Sequence, residues 1–240
     1  MGLNRIFFPS VLQLGQSVGL NSQAVKHIQV LRLQPGKSVV LFDGEGFACV
    51  ARIEDMGKQS VEVTVTELLP AWPLPACESH LLISMPANER MDWLVEKATE
   101  LGVSRITPLM SERSVVRLSS ERAIKRHHHW TGVAQAACSQ SGRNRIPRID
   151  MPVDFSDALQ QLSSSSTKAK VLLSFAQTAK PWRDLWLTPP PSIAFLCGPE
   201  GGLSAQEELL ACQHGFVPAS LGLATLRSET AAISVLAQLL

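Results

Sequence analysis

Hydrophobic and polar positions in the first 70 residues follow the pattern of short β-strands. Candidate strands lie at residues 38–42 and 47–53, separated by a turn-forming Asp-Gly-Glu-Gly sequence at 43–46. Residues 61–67 alternate strictly between apolar and polar, which is typical of a half-buried strand. One short helix is expected between Ser22 and Leu33. Several short strands with a single helix predict a small β-barrel over residues 1–70.

Prolines mark the end of this region. Three of them stand within residues 70–75. Because proline fixes φ and cannot donate a backbone hydrogen bond, such a stretch is stiff and poorly suited to a helix or a central strand. Residues 71–79 are therefore expected to form a linker between two domains.

Strand and helix patterns alternate beyond the linker. Strands are expected at residues 81–84, 103–109, 171–175, 193–197 and 216–221. Helices are expected at residues 91–101, 119–141, 205–213 and around 233–240, the third opened by a capping box of Ser204 and Glu207. This alternation predicts an α/β domain over residues 80–240, with a parallel sheet covered by helices on both faces.

Composition excludes several classes of protein. Of the 240 residues, 45% are hydrophobic and 18% are charged, and the formal net charge is +1, which excludes a disordered or collagen-like chain. No apolar run approaches the roughly 20 residues of a membrane span. The first nine residues do not resemble a secretory signal. We therefore expect a cytoplasmic protein with no membrane partner.

Positive charge is concentrated in the middle of the chain. Residues 80–150 contain eleven Lys and Arg against seven Asp and Glu, and nine of the eleven bases are arginine. The planar donor fork of arginine suits phosphate groups and base edges. This asymmetry therefore indicates a polyanionic partner.

Cysteine and histidine spacing predicts no metal site. The five cysteines are scattered, so reduced and mostly buried thiols are expected rather than a zinc site or a disulfide framework. His127, His128 and His129 are consecutive. Consecutive residues on a helix point about 100° apart, so these three side chains cannot converge on one ion. We expect a solvated helix face instead.

Two glycine-bearing segments follow predicted strands. Residues 195–204 (FLCGPEGGLS) end a strand, turn through three glycines and open a helix, and residues 221–231 (LGLATLRSETA) repeat the arrangement. Because ligands of open α/β sheets bind at the carboxyl ends of strands, the two loops predict a shared ligand cleft. The first of them does not match a dinucleotide or Walker fingerprint. A third cluster, residues 140–145 (QSGRNR), fits either helix C-terminal dipole partners or RNA ligands.

The chain resembles the SPOUT-class ribosomal RNA small subunit methyltransferase E family. The similarity rests on residues 198–204 and 221–231 together, and it extends over nearly the whole chain. Further matching motifs lie at residues 5–8, 27–36, 41–44, 96–103, 111–114 and 140–143. Ser228 departs from the family pattern, because threonine is common at that position.

This resemblance implies a fold and an activity. We expect an N-terminal PUA-like barrel that helps to hold RNA, and a C-terminal α/β domain with a deep trefoil knot that binds S-adenosylmethionine. The implied reaction is methylation of N3 of a uridine in 16S rRNA of the small ribosomal subunit. The family acts as a homodimer.

Site residues follow from the resemblance and from residue chemistry. Backbone groups are expected to hold the cofactor at Leu196, Gly198, Glu200, Gly201, Gly202, Leu221, Gly222 and Leu226. Uracil N3 must lose a proton before it attacks, so Glu229 is the preferred general base and Glu200 the second candidate. Arg227 would stabilise negative charge on the uracil carbonyl oxygens. Candidate RNA ligands are Arg5, Arg113, Arg143 and Arg145.

Two other functions remain open. One is a SPOUT methyltransferase that acts on tRNA or on ribose 2′-hydroxyl groups, against which the barrel motif at 41–44 and the cluster at 140–143 argue. The other is a non-catalytic RNA-binding factor in ribosome assembly. The intact glycine loop and the Arg227 and Glu229 pair argue against that second alternative.

Overall fold

A computed structural model describes residues 2–86, 89–114, 116–185, 188 and 190–240. The chain divides into two compact units. Unit 1 contains Met1–Leu74 and Gln135–Ile146, and unit 2 contains Pro75–Ala134 and Pro147–Leu240. The division after Leu74 falls within the expected linker at 71–79. Residues 135–146 differ from expectation, because the sequence-based boundaries place them in the second domain.

Unit 1 is built on a five-stranded sheet. Its elements are β1 (Arg5–Phe7), β2 (Ser17–Gly19), α1 (Ser22–Val30), β3 (Ser38–Phe42), β4 (Ala48–Met56) and β5 (Val61–Leu68). The strand order is β1-β3-β4-β5-β2, with β1 parallel to β3 and the other neighbours antiparallel. Asn21 caps α1, which buries Ala24, Val25 and Ile28 in the apolar core of this sheet.

Residues 135–146 belong to unit 1 because of what they bury. Cys138 joins Val40, Phe42 and Ala48 in a second small core. The amide of Gly46 donates to the carbonyl of Asn144 at 3.1 Å. Helical periodicity identifies the buried face of this segment, but it does not specify which sheet that face packs against.

Unit 2 is an α/β domain, as the sequence predicts. Its elements in chain order are β6 (Glu78–Ser84), α2 (Arg90–Glu100), β7 (Arg105–Met110), α3 (Ser120–Ser141, which continues into unit 1), β8 (Arg148–Ile149), β9 (Val153–Asp154), α4 (Phe155–Ser163), β10 (Ala169–Leu173), β11 (Lys180–Pro181), β12 (Ser192–Cys197), α5 (Ala205–Gln213), β13 (Val217–Ser220) and α6 (Ser228–Ala237). The strand order is β11-β13-β10-β12-β6-β7-β8, with β9 also beside β7, and every pair is parallel.

The central strand of unit 2, β12, is apolar along nearly its whole length, so helices can cover both faces of the sheet. All residues of β12 after Ser192 are buried, as expected for a strand covered on both faces. Helix α4, which the sequence-based prediction leaves unassigned, buries Phe155, Ala158, Leu159 and Leu162 at helical spacing. Helix α6 packs against α2, β6 and β12. The deep knot implied by the resemblance stays a prediction.

A partly buried polar network joins β6 and β7 to the segment after β8. The His80 ring Nε2 lies 2.7 Å from Thr107 Oγ1, Thr107 also contacts Asp150, and Arg105 Nε donates to Asp150 Oδ2 at 2.6 Å. Burial, aided by the positive charge of Arg105, lowers the pKa of His80 from 6.5 to about 4. His80 is therefore neutral in the folded protein at pH 5, but charged in the unfolded chain.

This network predicts that the free energy of unfolding falls as the pH is lowered. Between pH 6.5 and about 4 the unfolded chain binds the extra proton, so stability from this group is present above that window and is lost as pH falls through it. From pH 7 to pH 5 the loss should be about 2 kcal/mol of the free energy of unfolding. Urea unfolding at both pH values measures it. His80→Gln should reduce the pH dependence by that amount, whereas the exposed His128→Gln should not.

Candidate active site

The predicted cleft exists as one cavity in unit 2. Its volume is about 410 Å³, within the range of small-molecule sites. Strands β13, β10 and β12 are neighbours and parallel, so their carboxyl ends meet at one edge of the sheet, where the cavity lies. The lining comprises residues 173–175, 197–203, Glu208, Ala219, Leu221, 224–228 and Ala231.

The first glycine segment wraps back on itself directly after β12. A Cβ atom at Gly198 would lie 2.9 Å from the backbone nitrogen of Leu203, which is closer than a side chain tolerates. Gly202 adopts φ +67°, a left-handed conformation that favours glycine. The capping box predicted from Ser204 and Glu207 is present and begins α5. The segment thereby exposes backbone groups of Gly201 and Gly202 at the cavity.

A turn after β7 holds this segment in place. Arg113 Nη1 donates to the carbonyl oxygens of Gly201 at 2.9 Å and Leu203 at 3.3 Å. The amide of Glu112 donates to Glu207 Oε1 at 2.7 Å. Arg113, which the sequence assigns to RNA binding, therefore braces the cavity wall in the structure.

Removing this brace should weaken ligand binding in the cavity. We expect Arg113→Ala to lower the affinity of S-adenosylmethionine about tenfold, because charge-assisted hydrogen bonds to two carbonyls are lost at a partly exposed position. Isothermal titration calorimetry measures the affinity, with the exposed Lys168→Ala as control. If RNA affinity falls while cofactor affinity is unchanged, Arg113 contacts RNA and is not a brace.

The second glycine segment closes the other side of the cavity. Leu221 and Leu226 line it, and Gly222 adopts φ +126°, a conformation that side chains rarely accept. Ser228 Oγ donates to the carbonyl of Gly198 at 2.5 Å and joins the two segments. Leu196, by contrast, has its side chain in the apolar core, and neither it nor Gly222 lines the cavity.

Two of the three candidate catalytic residues lie close to one arginine, Arg90. Arg90 Nη1 is 3.0 Å from Glu200 Oε1, and Arg90 Nε is 3.9 Å from Glu229 Oε1. Glu229 is buried at the start of α6, and its Oε2 has no hydrogen-bond partner among the described residues. Arg227 is exposed and lines the cavity with Glu200, whereas Glu229 follows the lining residue Ser228 without lining it.

The remaining candidate RNA ligands lie in unit 1 and make internal contacts. Arg5 donates from Nη2 to the Arg143 carbonyl at 3.3 Å, contacts Asn144 Oδ1 and sits 5.0 Å from the centre of the Phe42 ring. Burial lowers the pKa of Arg5.

The Arg143 guanidinium lies 5.9 Å from the centre of the Trp72 ring. Arg145 packs against Gly46, where a Cβ atom would stand 2.7 Å from its Nη2.

Sequence reasoning missed several lining residues. Ser174 and Phe175 follow β10, and Ser174 Oγ donates to Glu208 Oε1 at 3.0 Å. Arg90 was missed as well, because its contact with Glu200 spans 110 positions of sequence. A signal for the first pair existed, since they are the last two residues of a third predicted strand, residues 171–175.

Metal ligands are not grouped anywhere in the part of the chain that the structure describes. His127 Nε2 lies 2.9 Å from the Ile149 carbonyl and His129 Nε2 lies 2.7 Å from Asp92 Oδ2, so the histidine run has separate partners. All five cysteines are free thiols, and four are buried.

No described helix is long and apolar enough to cross a membrane.

Comparison with known proteins identifies the family. A model of the RNA methyltransferase domain matches residues 73–240, and a model of the RNA methyltransferase PUA domain matches residues 20–66. The ribosomal RNA small subunit methyltransferase E of Aquifex aeolicus is 32% identical, covering 97% of this chain and 98% of that protein. The chain belongs to the ribosomal RNA small subunit methyltransferase E family.

Solved structures agree with this family assignment. A ribosomal RNA small subunit methyltransferase E from Neisseria gonorrhoeae, bound to S-adenosylmethionine, has 35% identity and a TM-score of 0.92 over 99% of this chain and 96% of that one. A methyltransferase from Legionella pneumophila, in complex with the same cofactor, has 36% identity and a TM-score of 0.92 over 100% and 97%. The methyltransferase E fold, with its PUA domain and its parallel α/β sheet, is therefore the fold of this chain.

Proposed function

We propose that this protein transfers a methyl group from S-adenosylmethionine to N3 of a uridine in 16S rRNA of the small ribosomal subunit. The observation that carries the proposal is the cavity formed by two glycine-bearing segments at the carboxyl edge of the sheet. Family membership and the cofactor in the two related structures support it. A homodimer in the cytoplasm, implied by the resemblance, is part of the same proposal, and analytical ultracentrifugation tests the dimer.

The cavity fits a nucleoside cofactor with a charged side chain. Its wall is mainly backbone and apolar side chain, with Gly198 crowded so closely that only glycine is accommodated. Backbone groups of Gly198, Gly201, Gly202, Leu221 and Leu226 would hold the cofactor. Leu196 and Gly222 would act indirectly, the first by anchoring β12 and the second by setting the path of its loop. The carboxylate of Glu208, held by Ser174, would attract a cationic group.

Proton removal is the task that the protein must perform. When bound, S-adenosylmethionine supplies an electrophilic methyl group on a sulfonium. Uracil N3 becomes nucleophilic only after losing its proton, so a nearby acceptor accelerates the reaction. Glu229 fits this role because its Oε2 is buried and has no hydrogen-bond partner among the described residues. Since the residue lies next to the cavity lining and not in it, the proton would reach this oxygen through water.

Arginine side chains would stabilise the negative charge that deprotonation leaves on uracil and would hold the nearby carboxylates. Arg227 is exposed at the cavity and would donate to the uracil carbonyl oxygen on which negative charge develops. Arg90 holds Glu200 at 3.0 Å and approaches Glu229 at 3.9 Å. Because Arg90 already engages its carboxylate at 3.0 Å, Glu200 is better suited to positioning than to proton transfer.

Methyl transfer to isolated ribosomal subunits tests the proposal. Small subunits from cells that lack the modification are incubated with the protein and radiolabelled S-adenosylmethionine. We expect label in small-subunit RNA and none in large-subunit RNA or tRNA. Label in tRNA would favour another SPOUT activity. Cofactor binding by calorimetry without transfer to any RNA would favour an assembly factor.

A further inference from the structure

We propose that a basic cavity beside the first half of α3 binds backbone phosphates of the RNA substrate. This inference rests on the proposed function for its partner. The cavity lies within unit 2, has a volume of about 580 Å³, and shares no lining residue with the cavity described above. Its lining comprises Val116, Arg117, Leu118, Arg122, Lys125, Arg126 and His129.

Positive charge in this cavity is not neutralised by its surroundings. Lys125 Nζ lies 2.6 Å from Glu121 Oε1, and His129 pairs with Asp92, whose other oxygen accepts from Trp130. With His129 neutral, the four Lys and Arg side chains of the lining exceed these two acids by two charges. Among the described residues, Arg117 donates from Nη2 to the carbonyl of Glu112 at 3.2 Å.

Two of the arginines differ from Arg117 in their contacts. Arg122 and Arg126 are exposed and make no hydrogen bond or ion pair with the residues that the structure describes. They stand four residues apart on α3, so their side chains share one face of the helix. Among the described residues, neither arginine therefore forms a salt bridge along the helix or braces a loop.

Phosphate is the ligand that this arrangement suits. The guanidinium group donates in a planar fork that matches phosphate oxygens, and contacts to phosphate position a protein on nucleic acid without reading its sequence. Three of the four arginines that the sequence assigns to RNA make contacts within the fold: Arg113 donates to the active-site wall, while Arg5 and Arg145 pack inside unit 1. The unengaged arginines at the start of α3 are better placed to receive RNA.

Charge reversal with a matched control tests the inference. Arg122→Glu, Arg126→Glu and the exposed Lys168→Glu each change the net charge by the same amount, and all three are made in the full chain. Fluorescence anisotropy with end-labelled 16S rRNA measures affinity at several salt concentrations.

We expect each arginine variant to bind about tenfold more weakly. The slope of log affinity against log salt should become shallower by about 0.7–0.9 for each phosphate that the variant no longer neutralises. Lys168→Glu should remain within about twofold of wild type.

Separate readouts distinguish this inference from the proposed function. Thermal unfolding and cofactor affinity should match wild type in both arginine variants, because neither residue lines the active site. If the arginine variants bind rRNA with the affinity and salt slope of Lys168→Glu, the phosphate site is wrong even when wild-type protein methylates the subunit. If wild-type protein transfers no methyl group to small subunits, the proposed function fails on its own.

Discussion

Glu229→Gln should lower turnover by roughly a hundredfold or more while leaving cofactor and RNA affinities close to wild type. Glutamine keeps the shape of the side chain and can still hydrogen bond, but it cannot accept the N3 proton. The residue is buried with one oxygen that has no partner among the described residues, so the substitution removes a proton acceptor rather than a surface charge. Single-turnover kinetics with saturating cofactor measure the effect. Part of the lost rate should return at higher pH, where hydroxide or solvent deprotonates uracil.

A different outcome would reassign Glu229. The residue also lies in the first turn of α6 and 3.9 Å from Arg90, so it has a structural alternative as a helix-terminal partner. If Glu229→Gln loses stability or cofactor binding while turnover per bound complex is unchanged, that structural role is correct. Glu200→Gln, made in parallel, is the matched control, because Arg90 contacts both carboxylates.

Gly198→Ala should reduce cofactor affinity by roughly tenfold to a hundredfold. The added methyl group would lie 2.9 Å from a backbone nitrogen and 3.1 Å from the Leu203 side chain, and overpacking of this kind costs about 1–3 kcal/mol. Because the neighbour is backbone, the glycine segment must shift, and its shift deforms the cavity wall. Calorimetric titration with S-adenosylmethionine measures the loss.

Gly132→Ala provides the control for that measurement. It adds the same methyl group on α3, where the Cβ would meet no atom within 4 Å beyond its chain neighbours and the backbone of its own helix. Alanine also favours a helix by about 1 kcal/mol over glycine. Its cofactor affinity should equal that of wild type. Wild-type affinity in Gly198→Ala would mean that the cofactor does not depend on the tight path of this segment.

Regular elements were the most predictable part of the fold. Strand β3 spans 38–42 as expected, and the capping box at Ser204 begins α5. Strands β1 and β2 escaped prediction because three residues are too few to show a period. The placement of residues 135–146 in unit 1 depends on long-range packing around Cys138, which no local pattern reveals.

The site was predictable as two segments but not as a connected structure. Glycines after two strand ends indicate where a ligand binds, because parallel strands bring those ends to one edge. Contacts that shape the cavity span long stretches of sequence: Arg113 reaches Gly201 across 88 positions and Arg90 reaches Glu200 across 110. An arginine that binds RNA and one that braces a loop have the same sequence signature, so the contact of Arg113 with the glycine segment becomes visible only in the structure.

Identifying the methylated nucleoside tests the proposed reaction most directly. Small subunits that lack the modification are treated with wild-type protein and S-adenosylmethionine, and their 16S rRNA is digested to nucleosides for mass spectrometry. The proposed mechanism predicts 3-methyluridine as the product, at about one methyl group per subunit, and almost none with Glu229→Gln. A 2′-O-methylated nucleoside, or a methyl group on a base other than uracil, would contradict it.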